Sequence, residues 1–108
     1  MAFTEDSLGG SFNSTNNVTI VIGDANGTKL VKNVVINNLD NVSHTVIIEF
    51  VKNSVAYRMF SVYLAPGDTL VQDFILALKD ANYTLRVRLG EAASTAQPQF
   101  VATFAQVS

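Results

Sequence analysis

Apolar and polar residues alternate along most of this chain with a period of two. The stretch 44–51 shows it plainly: Val46, Ile48 and Phe50 fall on one face, and Thr45, Ile47, Glu49 and Val51 on the other. That period marks a β-strand with two distinct faces. The same signal predicts strands over 18–22, 30–38, 55–64, 69–76, 83–89 and 99–107, each followed by turn-forming residues. It is cleanest over 83–89, where Tyr83, Leu85, Val87 and Leu89 oppose Thr84, Arg86 and Arg88. Residues 77–82 offer at most one helical turn, too short to stand alone, and read as a connection.

The turns carry their own chemistry. Gly23-Asp24-Ala25-Asn26-Gly27 contains Asn-Gly, whose tolerance of positive φ predicts a hairpin between the first two strands. Ala65-Pro66-Gly67-Asp68 predicts a type II turn, with Pro presetting φ at the second position and Gly accepting positive φ at the third. About seven short strands with no long helix point to an all-β fold, an antiparallel β-sandwich of immunoglobulin-like or jelly-roll-like type. A small closed barrel is the alternative. The expected core is Ile20, Ile36, Val46, Ile48, Phe50, Leu70, Leu85, Val87 and Phe104. Residues 1–16 are small and polar apart from Phe3, Leu8 and Phe12, and read as a flexible, extended N-terminal arm. Residues 17–108 then form a single sandwich domain.

Composition narrows the kind of work such a domain can do. At 108 residues the chain has the size of one domain. Charged residues are 15% of it, against roughly 25% in an average protein. So apolar a surface is often covered by other chains. The net charge is −2 and no lysine/arginine stripe exists, which argues against nucleic-acid binding. The absence of cysteine removes disulfides, thiolate catalysis and cysteine-type zinc sites. Glu5 and Asp6 stand where a signal peptide would be basic and then apolar, and no run approaches the ~20 apolar residues of a spanning helix. The expectation is synthesis in the cytoplasm with no membrane partner.

Candidate chemistry is sparse. His44 is the only histidine; without a serine motif or partners at ligand spacing it reads as a polar residue at a strand edge. Asp24, Asp40, Glu49, Asp68, Asp73, Asp80 and Glu91 are scattered, and most sit in turns where aspartate bonds its own backbone. Asp24-Ala25-Asn26-Gly27 begins like a calcium loop but lacks the later ligands and the closing glutamate. Asn-x-Ser/Thr triplets at Asn13, Asn17, Asn26, Asn41 and Asn82 reflect a chain rich in Asn and Thr. No catalytic residue, cofactor or metal is expected, and the chain does not read as an enzyme. Tyr57, Tyr63 and Tyr83 leave a carbohydrate-binding module open as a second reading.

The apolar residues outside the core pattern are more informative. Ile47 and Val51 share a face with Glu49, and Val35 and Val101 are out of phase with their inward neighbours. With Phe3, Leu8 and Phe12 of the arm, Ile47, Val51 and Val101 form the candidate protein interface, on a sheet face or open edge.

The run Val34-Val35-Ile36-Asn37-Asn38, then His44-Thr45-Val46-Ile47-Ile48, then Leu64-Ala65-Pro66-Gly67-Asp68-Thr69-Leu70, then Tyr83-Thr84-Leu85-Arg86-Val87 resembles small β-sandwich virion proteins of tailed bacteriophages. The resemblance covers roughly residues 31–89. It implies a non-enzymatic structural role: a capsid decoration (cement) protein, or an accessory protein of the head–tail connector or tail. It also implies a location in the virion, the major capsid protein or another virion protein as partner, and a homo-oligomer (dimer or trimer).

Overall fold

The computed structural model of the chain describes residues 3–107. Eight strands follow one another: β1 (Phe3–Ser11), β2 (Val18–Ile22), β3 (Thr28–Asn37), β4 (His44–Lys52), β5 (Val55–Leu64), β6 (Thr69–Leu78), β7 (Tyr83–Leu89) and β8 (Gln99–Val107). They form two four-stranded antiparallel sheets, β1-β8-β3-β6 and β2-β7-β4-β5. This interleaved order, in which every successive pair of strands except β4–β5 passes from one sheet to the other, is that of a jelly roll with two Greek keys. The molecule measures 46 × 26 × 18 Å.

Burial follows the alternation. Along β7, Leu85, Val87 and Leu89 are buried while Thr84, Arg86 and Arg88 are half-buried on the outer face. Ile20, Ile36, Val46, Ile48 and Phe104 join the core as expected, while Phe50 and Leu70 pack half-buried at its margin. Four register shifts adjust the strands: at Ile20 in β2, at Lys32 in β3 against β8, at Phe74–Ile75 in β6 against β3 and at Met59 in β5. The first turns both Ile20 and Val21 into the interior, which a strict period of two cannot do.

Residues 3–11 are not a flexible arm; they form β1, in register with β8 from Phe3↔Val107 to Ser11↔Gln99. Residues 1 and 2 lie outside the described part. No alternation marks β1 in the sequence, because it is an edge strand that gives little to the core. Leu8 is 37% exposed, and a side chain at Gly10 would stand 2.9 Å from the ring of Phe100. Asn26-Gly27 likewise departs from the expected hairpin. β2 and β3 lie in different sheets, so the turn between them, closed by the single bridge Asp24↔Gly27, makes no hairpin. An Asp24 side-chain oxygen accepts from Asn26 N at 2.8 Å and shapes the turn instead. The type II turn forms as expected, with Gly67 at φ 83° and Asp68 N donating to Ala65 O at 3.0 Å.

Four connections meet at one end of the sandwich and are stitched together by main-chain hydrogen bonds. Phe12 N donates to Pro98 O, Ala93 N to Asn13 O, Asn38 N to Asp68 O and Gly67 N to Asn38 O, all at 2.8–3.0 Å. At the other end, Gly23 N donates to Tyr83 O and Asn53 N to Asn82 O.

Candidate interaction surfaces and the buried Asp40–His44 knot

Each sheet presents an outer face, and the register places Val101, Ile47 and Val51 on these faces, whereas Leu8 pairs with the buried Ala102 on the inward side. On the β1-β8-β3-β6 sheet, Val35 stands opposite both Val71 and Val101, making one apolar row across three strands. Val71 and Val101 are 62% and 45% exposed, and Ile75, further along the edge strand β6, is 85% exposed. Neighbouring cross-strand rows are polar: Ser7, Thr103, Asn33 and Asp73 on one side, Ser11, Gln99, Asn37 and Thr69 on the other. An apolar row framed by polar rows resembles the layout of a protein interface, with its dry centre and wet rim.

The outer face of the β2-β7-β4-β5 sheet has a different character. Glu49 stands between Arg86 and Arg58 in register. Its Oε1 accepts from Arg86 Nε and lies 3.0 Å from Arg86 Nη2, while Arg88 Nε approaches to 4.0 Å. One carboxylate therefore serves a face that carries three guanidinium groups. Ile47 lies opposite Ser61 and Arg88 and is only 7% exposed. Arginine stems can shield such positions while their heads stay wet. Val51 is half-buried between Thr84 and Ala56.

The structure does not bring the candidate interface residues together as one surface. Val101 and the β4 residues Ile47 and Val51 belong to opposite sheets. Leu8 lies on β1, and the side chain of Phe3 lies outside the described part. Phe12 is not an anchor for a partner: it is 1% exposed, with its ring 6.3 Å from that of Phe100. A single phenylalanine in a polar run gives no alternation to mark it as core. The tyrosines also part company. Tyr57 and Tyr83 both pack on Phe50, with centroids at 6.1 and 5.9 Å, whereas Tyr63 is 71% exposed near the far end of β5.

His44 begins β4, at a strand end as expected, but it is buried, in a knot centred on Asp40. Its Nε2 lies 2.6 Å from Asp40 Oδ2, with both side chains out of solvent. Asp40 also accepts from the backbone N–H groups of Asn41, Ser94, Thr95 and Ala96 and from the Thr95 hydroxyl. The His44 bond, followed by those amides, holds the Asp40 carboxyl far below the usual carboxylate range. Asn38 extends the knot, donating to Val42, Leu64 and Ala65 carbonyls and accepting from Asp40 N. These bonds cross-link three of the four connections at that end. An Asp–His pair can orient a general base, but this one clamps loops: every bond of the Asp40 carboxylate beyond His44 goes to Asn41 or to residues 94–96 of the β7–β8 connection. Among the described residues no three metal-ligating side chains converge.

No protein-family model and no curated protein sequence matches the chain. Solved structures do share its fold. A chain of the acid-stable capsid of the Helicobacter pylori bacteriophage KHP30 superposes with a TM-score of 0.63 at 9% identity, covering 99% of this chain and 89% of that one. A chain of the Bacillus endospore appendages, a family of disulfide-linked pili, gives 0.62 at 17% identity over 97% and 88%. The Tobacco streak virus coat protein gives 0.57 at 11% identity over 98% and 85%. At these identities the likeness is one of fold. The disulfides of the appendages have no counterpart here, since the chain has no cysteine.

Proposed function

We propose that this chain is a non-enzymatic structural protein of a bacteriophage virion, a decoration (cement) protein that binds and stabilises the head lattice. The observation that carries the reading is the outward apolar row Val71–Val35–Val101, exposed at Val71 and Val101, on a four-stranded sheet. It offers contact area without converging reactive groups, which is what a lattice-binding protein needs. The likeness in fold to capsid and pilus subunits supports it. The partner is then the major capsid protein, a dimer or trimer of this chain is the binding unit, and the protein resides in the virion after synthesis in the bacterial cytoplasm. Many weak contacts repeated over a lattice would add through effective concentration.

The test is direct. Mass spectrometry of purified particles of the encoding phage should detect the protein, and added protein should co-sediment with heads lacking it until a fixed number per capsomer is reached. Its absence from particles would refute the reading. Recovery with necks or tails alone would favour the alternative, a head–tail connector or tail accessory protein.

A further inference from the structure

A hollow of about 330 Å³ opens at the stitched end of the sandwich, lined by Ser43, His44, Thr45, Tyr63, Gly90 and Glu91. The register explains why it exists. Thr45 stands opposite Tyr63 on one side, and on the other Gly90 N donates to Thr45 O at 2.8 Å. The row thus runs from a large side chain through a small one to none. A Cβ at Gly90 would stand 3.3 Å from the Thr45 Cβ, so the glycine keeps the floor open. Tyr63, 71% exposed, forms one wall.

The lining has a definite chemistry. Ser43 and Thr45 bring hydroxyls that both donate and accept, and Glu91 brings an accepting carboxylate. His44 carries a buried Nδ1 without a partner among the described residues. No lysine or arginine lines the hollow. Part of the rim is anchored in advance: Asp40 bonds the His44 ring at Nε2 and holds residues 94–96 of the same β7–β8 connection that supplies Gly90 and Glu91. Sites set in advance lose less freedom on binding.

From this geometry we propose that the hollow binds a neutral pyranose sugar. The ring stacks on Tyr63, and its hydroxyls bond to Ser43, Thr45 and Glu91. An aromatic face suits the apolar side of a sugar ring, and mixed donors and acceptors suit its hydroxyls. The volume lies at the low end of small-molecule sites, about 300–1,000 Å³, which is room for one ring. Glu91 and the absence of a cation disfavour sialic acids and sugar phosphates. The site stands independently of the virion reading; on a particle, repeated copies would give it avidity for a glycan surface.

The test is an amide NMR titration of the full chain with the methyl glycosides of glucose, galactose, mannose and N-acetylglucosamine. At least one should give saturable shifts confined to residues 43–45, 63 and 90–91, with millimolar affinity. Tyr63→Ala should abolish the response while leaving the spectrum elsewhere unchanged, and Gly90→Ala should weaken it severalfold. No saturable shift with any glycoside would overturn the proposal, as would full binding by Tyr63→Ala. Tighter binding of N-acetylneuraminic acid or choline than of every neutral glycoside would also overturn it.

Discussion

Replacing Phe12 with alanine separates the fold described above from one with a free N-terminal arm. Phe12 is 1% exposed, tilts 43° against Phe100, and donates its N–H to Pro98 O at 3.0 Å. Removing a buried phenylalanine ring costs about 3–5 kcal/mol, through lost transfer energy and the cavity left behind. Unfolding entropy of roughly 2.1 cal/mol/K per residue gives about 0.23 kcal/mol per degree for a chain of 108 residues. Phe12→Ala should therefore lower Tm by roughly 13–22 °C in a calorimetric scan. Leu8→Ala serves as the control: with its side chain 37% exposed on an edge strand, it should cost about 1 kcal/mol or less. Equal Tm values for Phe12→Ala and wild type would refute the placement of Phe12 in the core and restore the arm.

Acid should weaken the knot. Asp40 has a depressed pKa in the folded state, so its contribution is whole above the ordinary carboxylate value of about 3.9 and fades as pH falls below it; the stability gap between wild type and Asp40→Asn in urea should shrink from pH 7 to pH 2, and a constant gap would refute the linkage. Gly23→Ala would place a Cβ 2.2 Å from the backbone oxygen of Asp80, so the turns at that end must separate; a loss of about 1–3 kcal/mol is expected, and unchanged chemical denaturation would show that the turns move freely. Glu49→Gln exchanges a charged acceptor for a neutral one opposite Arg86 and should cost about 1–2 kcal/mol, with the difference narrowing in high salt; a salt-independent difference would point to packing rather than charge.

The parts of this fold that were legible in the sequence are those where the two faces of a strand meet different surroundings. β4 and β7 lie between two neighbours each, one face on the core and one outward, and there the alternation is plain. β1 was illegible for the opposite reason. Its neighbour β8 supplies hydrogen bonds to a backbone whose side chains bury little, so Thr4 to Ser11 had no apolar pattern to show. Sheet order was out of reach as well. Asn26-Gly27 carries the local chemistry of a hairpin, but whether two strands pair is decided by non-local packing, and here β2 pairs with β7 while β3 takes β6 and β8.

The surfaces divide along the same line. That Val35 and Val101 point away from the core could be read from phase alone; that Val71 completes their row needs the register of three strands. Ile47 shares that outward phase, yet its ladder neighbours are Ser61 and Arg88 and it is covered, so phase gives direction without exposure. The Asp40–His44 spacing of four residues was in plain view, but Ser94, Thr95 and Ala96 are 54 to 56 positions away from Asp40. No local pattern could mark that aspartate as a clamp rather than a turn residue. The hollow beside it depends on the same long-range closure, since Gly90 becomes a floor only because β7 ends alongside Thr45. In a jelly roll the strands carry their instructions locally, and the ends, where connections from four parts of the chain converge, acquire their chemistry only once the sheets have closed.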